Sequence, residues 1–500
     1  MNQYYTTDKP PMPEDPITRA RWEETAKRRR MMEGLWDEDL LIRYRSHMGL
    51  ERAEAHKAYE GGLDRSCNPF KSINTELAQL YHVPPSVHHP SDRDDVNDWL
   101  GDGGALASSM LWPMMEWYQA QVLACREYLI RVDVTNSDGL IFRPVSPEFI
   151  DATPYDDRPN TPRKIDEYRQ RQHKGGVIWT IDRYDITDPE NPVYQVIAPH
   201  RASREVITKG QRSVESYRGE EDITDDVLGG NQSGDNYKFR KLDGTPVLPW
   251  VLHHSMVTLD RLWMWSDGLE TVDGSLNAAV MLTFILHAMR SASWPQKWAV
   301  NVVPIGANTA GTENTPRRAM TADPATVVLF KTAAGGMESP GQPMIGQWSA
   351  GADIAAMDAA FASYVNRCAV AAGIPPSDVQ RMGGTARSGY AIALSNASKR
   401  IAQDAHRTSF SAHDAELVAL AATLWNRVNG TDLPEDGYNV AHKPIPLSPQ
   451  EIAERRKNLL ELLAAGLISR IEAYKELHPG MDDAHANARL QSIDRERFSR

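Results

Sequence analysis

The sequence predicts an α+β chain, and three observations carry that prediction. Between Asp353 and Arg400 it reads as a helix, a loop rich in Pro and Gly, and a second helix; Ile354, Met357, Phe361, Tyr364, Val365 and Cys368 fall on one stripe of a 3.6-residue period. From about Ile130 to Val251 the pattern changes to short strand-like runs separated by Asp138-Gly139, Asp188-Pro189 and Asp243-Gly244, dipeptides whose backbone preferences make turns. After Trp265 a helix returns, with Val272, Leu276, Val280 and Phe284 as its stripe, until Trp294-Pro295 stops it.

Bulk properties narrow the function classes. A chain of 500 residues is long enough for roughly two to four core-bearing units. Its 41% hydrophobic and 24% charged content is that of an ordinary globular protein. The formal charge of −12, from 55 Lys+Arg against 67 Asp+Glu, is the reverse of what tight phosphate-neutralising contact with nucleic acid needs. No uninterrupted apolar run of about 18 residues occurs, which predicts no membrane span, and the polar start Met1-Asn-Gln-Tyr-Tyr-Thr-Thr lacks the layout of a signal peptide, which predicts a cytoplasmic chain. Cys67, Cys125 and Cys368 are scattered, without CxxC or a neighbouring His at ligand spacing, and read as reduced structural thiols.

In chain order, Lys9-Pro-Pro-Met-Pro-Glu-Asp-Pro16 is a Pro-rich arm, and about Ile17 to Glu60 reads as surface helices in which Lys27-Arg-Arg-Arg30 is a solvated face. Asn68 to Tyr81 begins with turn chemistry and continues as a short helix carrying Ile73, Leu77 and Leu80. Leu111 to Ile130 is a strongly apolar helix running into the strand Arg131–Val134. The expected strands are 140–142, 176–181, 183–186, 193–197 and 237–240, an antiparallel meander, with Gly210 to Asp235 as an acidic surface loop. Lys297–Val303 and Thr326–Lys331 are expected strands flanking a loop that contains Arg317-Arg318. In 353–400, Pro375-Pro376 ends the first helix and Gly383-Gly384 frees the backbone before the second helix opens at Ser388. That run continues to about Asn429, and Ser448-Pro-Gln-Glu451 supplies cap, first position and first turn of a C-terminal helix.

Searches for reactive constellations return little. Gly383-Gly-Thr385 has no following Lys-Ser/Thr, and no GxGxxG sits between a strand and a helix, so neither nucleotide motif is present. His88-His89, Asp92, Asp94 and Asp95 resemble a metal cluster but lie in a Pro-rich stretch with no periodic element to aim them, and read as a solvated acidic loop. His253-His254 lacks a GxSxG context and reads as packing and turn, and His406 and His413, seven residues apart on a helix, read as structural or solvent-facing. The sequence therefore predicts no catalytic residue, no metal and no cofactor.

From Trp265 onwards the order of elements resembles the portal proteins of tailed bacteriophages, siphophage-like in layout. The residues that carry the resemblance are the helix 266–294, the β insertion 296–350, the helix 353–373 ending in Gly-Ile-Pro-Pro, the loop with Ser388-Gly-Tyr-Ala-Ile-Ala-Leu394, and Leu463-Ala-Ala-Gly-Leu-Ile-Ser-Arg-Ile-Glu-Ala473; Asn68-Pro-Phe and the mixed β region fit as well. The resemblance implies a portal fold: an N-terminal arm and surface helices (1–60), a mixed α/β wing (61–264), a first stem helix (265–295), a small β-containing clip (296–352), a second stem helix (353–373), a tunnel loop (374–387), a long wing helix (388–430) and a helical C-terminal crown (431–500). It implies a non-enzymatic ring, typically of twelve copies, at one capsid vertex of the virion, assembled in the host cytoplasm, through which double-stranded DNA is packaged and ejected without sequence specificity.

The same resemblance implies partners and sites. Terminase large subunit and head–tail adaptor would meet the clip at Arg317 and Arg318, with major capsid and scaffolding protein as further neighbours and no membrane. Gln380, Arg381, Met382, Gly383, Gly384, Thr385 and Arg387 would form the tunnel loop; Leu276, Val280, Phe284, Met357, Phe361 and Tyr364 would pack the stem and its subunit contacts. Net acidity fits a conduit, because few cations on a bore lower sticking to a sliding polyanion. Arg381 and Arg387 could touch phosphates transiently or pair with carboxylates of neighbouring subunits. A ring needs two different complementary faces on every subunit, which the stem stripes can offer. Alternatives are another virion component, such as a minor capsid or adaptor protein, or a metal-dependent DNA hydrolase using His88, Asp92 and Asp94.

Overall fold

A computed structural model describes residues 3–5, 10–48, 63–91, 93–135, 139–208, 211–293, 296–300, 302–304, 330–332, 344–348, 353–374, 389–443, 449–477 and 483–498. About half the chain is helix and a fifth strand, an α+β protein. In chain order the elements are β1 (Gln3–Tyr4), α1 (Pro16–Glu33), α2 (Asp37–Met48), α3 (Pro69–Leu77), β2 (Ser86–His88), α4 (Asp94–Leu100), α5 (Ala105–Ser108), α6 (Leu111–Cys125), β3 (Glu127–Thr135), β4 (Gly139–Val145), β5 (Ile150–Pro154), β6 (Pro162–His173), β7 (Gly176–Asp185), β8 (Val193–Thr208), β9 (Gln211–Asp222), α7 (Thr224–Leu228) and β10 (Trp250–His254). There follow α8 (Leu269–Ser293), β11 (Gln296–Val300), β12 (Val302–Pro304), β13 (Phe330–Thr332), β14 (Met344–Trp348), α9 (Ile354–Ala371), α10 (Gly389–Asn429), β15 (Asn439–Ala441), α11 (Pro449–Ala464), α12 (Arg470–Leu477) and α13 (Asp483–Phe498). They form two compact units, one of residues 1–32, 71–268 and 372–500, the other of 33–70 and 269–371.

The larger unit is built on two antiparallel sheets. One has the order β1-β8-β7-β6-β5, with β9 on the other side of β8; the second is β10-β3-β4. β6 and β7 pair from Lys164↔Asp185 to His173↔Gly176, and Lys174 (φ 46) and Gly175 (φ 85) close them through two left-handed positions. Such a turn matches the twist of the strands it joins. Tyr184 and Tyr194 stack at 4.4 Å within a core that also holds Ile165, Val196, Phe239 and Trp250.

An ionic layer ties β3 and β4 to β6 and β7. Arg131 on β3 donates to Glu167 on β6 at 2.8 Å and lies 3.7 Å from Asp182 on β7, whose Oδ2 also receives Arg169 and Arg171. Arg143 on β4 meets Glu167 at 2.9 Å. The Asp182 side chain is fully buried, a position tolerable for a carboxylate only because cations surround it.

Helix α1 starts as its sequence dictates. Asp15 accepts the Thr18 amide at 2.7 Å as an N-cap, ahead of Pro16 at the first helical position. The helix then docks through cations: Arg21 donates to the Pro147 and Ile150 carbonyls at 2.9 and 2.7 Å and stacks on Trp263 at 3.8 Å. Arg28 reaches the Ala124 and Asp267 carbonyls, and Arg29 meets Glu148 at 2.6 Å. Arg28 is buried and Lys27 pairs with Glu24, so the Lys27–Arg30 cluster is docking chemistry rather than a solvated face.

Other expectations are corrected too. Gly210 to Asp235 is not wholly a loop: it contains β9 and α7, and β9, which pairs only with β8 among the described strands, has a mostly polar sequence without the apolar alternation that marks a strand. Residues 237–240 form no strand, although Tyr237 and Phe239 are buried. The runs 176–181 and 183–186 are one strand, and α6 ends at Cys125, earlier than its apolar content suggested, because β3 is buried and equally apolar. The N-terminal residues Gln3 and Tyr4 add a strand to β8 at Arg201 and His200.

In the smaller unit α8 packs with α2 and α9. Tyr44 lies 5.7 Å from Phe284, Arg43 pairs with Asp273, and Phe70 donates its amide to Ser275 Oγ at 2.6 Å. A Cβ on Gly274 would sit 2.6 Å from Cys368 Sγ, so glycine is what lets α8 and α9 approach here. In place of the two strands expected at 297–303 and 326–331, four short ones form two ladders, β11 with β14 and β12 with β13. The span Leu269–Met289 is long and apolar enough to cross a membrane by length and composition, with mean hydropathy 1.3, and half of that stretch is buried within the fold. A search for unbroken apolar runs passes over it because Glu270 and Asp273 interrupt the run.

Replacing Asp182 with alanine should leave three arginines facing one another. A loss of about 3–5 kcal/mol in urea unfolding is expected; a loss under about 1 kcal/mol would show that the layer contributes little.

Candidate functional site

Two places in the molecule bear on function: the helix pair α8 and α9, and a buried polar cluster on α10. On α8, Leu276 and Val280 are 4% and 2% exposed, so they are core of their own unit, while Phe284 is half-buried against Tyr44. On α9 the buried residues are Val365, Cys368 and Ala369; Ile354, Met357, Phe361 and Tyr364 are only half-covered by their own chain. Asn277 donates to the Tyr364 hydroxyl at 3.1 Å and receives His47 on its Oδ1 at 3.2 Å. Gly373 (φ 74) ends α9 in the left-handed conformation typical of a helix C′ position. Ile374 beyond it is 1% exposed in the core of the larger unit.

The expected tunnel-loop residues Gln380, Arg381, Met382, Gly383, Gly384, Thr385 and Arg387, the clip residues Arg317 and Arg318, and Asp92 lie outside the described residues. His88 closes β2 and pairs in register with Asn439. Asp94 and Asp95 are not in a loop but open helix α4, and Arg93 holds Asp95 through two hydrogen bonds of 3.0 and 2.7 Å. His89 contacts Ser91 Oγ and the Asp436 carbonyl. Among the described residues no group of three or more His, Cys, Asp or Glu is arranged to hold a metal ion. Cys67, Cys125 and Cys368 are free thiols.

The polar cluster centres on Asp414. Its carboxylate accepts the Tyr81 hydroxyl at 2.8 Å, His442 Nε2 at 3.0 Å and His253 Nε2 at 3.3 Å. Since both imidazoles point Nε2 at an acceptor, that nitrogen carries the proton, and the Nδ1 atoms are left buried without a hydrogen-bond partner. Asp414 and His253 are fully buried, and Tyr81 and His442 nearly so. Burial pushes Asp414 up, but the hydrogen bonds from His253 and His442 outweigh it and hold the carboxyl below its ordinary value. Three further histidines adjoin it: His254 Nε2 donates to the Leu262 carbonyl, His406 Nδ1 to Ser255, and His413 Nδ1 to Ser409. Sealed from water, this arrangement is built to join elements rather than to receive a solute. At the tip of the β6–β7 hairpin, Arg171, Gln172, His173, Lys174, Asp226 and Val227 line an open cavity of about 530 Å³.

No spacing rule links residues 81, 253, 414 and 442, so sequence reasoning passed over the cluster; its one signal was the His253-His254 pair, assigned to packing. Adjacent residues on a strand point to opposite faces, and both are buried, so β10 is covered on each side.

Burial holds His254 and His406 below their ordinary value of 6.5, and burial together with His253 and His254 lowers His413 to about 3. These groups are neutral when folded and take up protons on unfolding, so their stabilisation is full above pH 6.5 and is lost as pH falls below it. Glu127 acts oppositely: burial raises it from 4.5 to about 7, so it keeps its proton when folded, and its contribution is lost as pH rises toward 7. Between pH 6.5 and 5.5 the histidines take up about two protons on unfolding and Glu127 releases about one, so the net uptake is about one proton and stability should fall by about 1 kcal/mol per unit. Urea titrations at the two pH values check this; His413→Asn, which keeps a donor to Ser409, should remove most of the slope, and a flat wild-type profile would contradict the assignment.

Neither models of known protein families nor curated proteins match this chain.

Proposed function

We propose that this chain is a subunit of a portal-type ring: a non-enzymatic conduit at one capsid vertex of a virion, through which DNA is packaged and ejected and on which terminase and head–tail adaptor dock in turn. The observation that carries the reading is the stripe of α9. Ile354, Met357, Phe361 and Tyr364 fall on one side of a helix at helical spacing, yet their own chain covers them only in part. Half-open apolar stripes on long helices mark surfaces meant for another subunit. The order helix, short β ladders, helix, long helix supports the same reading, as does the net charge of −12, which disfavours gripping a polyanion.

In this reading Gln380 to Arg387 face the passing DNA and Arg317 and Arg318 belong to the docking end. The hydrolase alternative needs His88, Asp92 and Asp94 together; His88 lies in the β2–β15 ladder and Asp94 in the first turn of α4, and Asp92 lies outside the described residues. A minor capsid or adaptor protein remains the competing structural role.

Negative-stain images of the purified protein decide between them: rings with a central hole are expected, and monomers or dimers under all conditions would refute the proposal. Phe361→Asp should weaken assembly about 10- to 100-fold with an unchanged circular dichroism spectrum, since Phe361 is not core. Deleting Gln380 to Thr385 should leave assembly intact and impair DNA packaging; loss of assembly would make that loop structural.

A further inference from the structure

The side of α10 that carries Asp414 packs against β10, and the seam between them is dense in histidine. β10 contributes His253 and His254, and α10 contributes His406 and His413. The ring of His413 lies 5.4 Å from each of the two rings on β10. His253, His254 and His406 are buried. Two polar links cross the seam: His406 Nδ1 donates to the Ser255 carbonyl at 2.6 Å, and Ser409 Oγ donates to the His254 carbonyl at 2.9 Å.

The groups around the seam leave little negative charge to balance a further proton. Asp414 is its ionised carboxylate, and Tyr81, His253 and His442 already donate to it. Glu127, the cross-strand neighbour of His254, keeps its proton in the fold below pH 7 and adds no charge. Arg126 places a cation near His406, Tyr118 meets the His253 ring edge-on at 5.1 Å as a neutral phenol, and Asp404 and Arg407 pair with each other at 2.7 Å. A proton added to His406 or His413 would therefore sit mostly among cations and neutral groups, where a low dielectric makes it costly. Parting α10 from β10 admits water and gives these histidines their ordinary affinity for protons.

We infer that the α10–β10 seam is an acid-opened latch: in mild acid α10 parts from β10 while the β5–β8 sheet stays folded. Opening the seam charges histidines alone, about two protons between pH 6.5 and 5.5. Glu127 stays covered, since its carboxylate accepts the Met264 amide at 2.8 Å away from α10. Complete unfolding also releases the Glu127 proton and so takes up only about one. Falling pH thus favours local opening more steeply than unfolding, and the seam gives first. The latch lies within one chain and does not depend on the ring reading.

Hydrogen exchange of the full chain at pH 6.5 and 5.5, read by mass spectrometry and corrected for the intrinsic effect of pH on exchange, tests the latch. Peptides covering 403–417 of α10 and 250–254 of β10 should open about 30- to 100-fold more often at the lower pH. Peptides from the β6–β7 hairpin should change by about tenfold or less. His413→Asn, which keeps a donor to Ser409, should cut the α10 ratio about fivefold. His406→Asn, which keeps a donor to Ser255, is the second variant and should also lower it. The ratio between the two pH values is insensitive to a general loss of stability, so a merely weakened fold would not mimic this result. An α10 ratio no larger than that of the hairpin would overturn the latch, as would variants that keep the full wild-type ratio.

Discussion

A carboxylate with no access to water needs donors from several directions, and at Asp414 the chain meets that constraint with groups from four distant places. Tyr81 follows α3, His253 ends β10, His442 follows β15, and Asp414 itself lies in α10. Removing any one donor leaves a buried charge less compensated, which costs far more than the hydrogen bond contributes when present. The cluster therefore fixes the path of the chain on both sides of the long helix. Arg131 and Asp182 do the same for the two sheets, so the larger unit is specified by two buried polar centres inside an otherwise apolar core.

Much of the helical framework was legible because its stripes are apolar and its ends are punctuated. Residues 353–373 and 388–429 were read within one or two positions of α9 and α10, since Gly373, the Pro pair after it and Asn429 are strong stop signals. The cluster was not legible: along α10 the buried face runs Gln403, His406, Phe410, Asp414, Leu417, Ala421 and Leu424, and a search for apolar periodicity skips its polar half. The strand β9 was not legible either, since Gln211 to Asp222 is mostly polar and shows no hydrophobic alternation.

The two units differ in what they leave unfinished. The larger one buries polar centres at Asp414 and Asp182. The smaller one closes its core through Gly274 and Cys368 and covers Ile354, Met357, Phe361 and Tyr364 of α9 only in part. A partly covered apolar stripe becomes more favourable if copies meet through it, which is the physical content of the ring proposal.

Closure into a ring is read directly by native mass spectrometry of the purified 500-residue chain. Twelve copies of a 55.9 kDa chain weigh about 670 kDa. The account predicts one dominant species at or near that mass, insensitive to dilution once closed. A spectrum holding only the single chain and its dimer at all concentrations would contradict it.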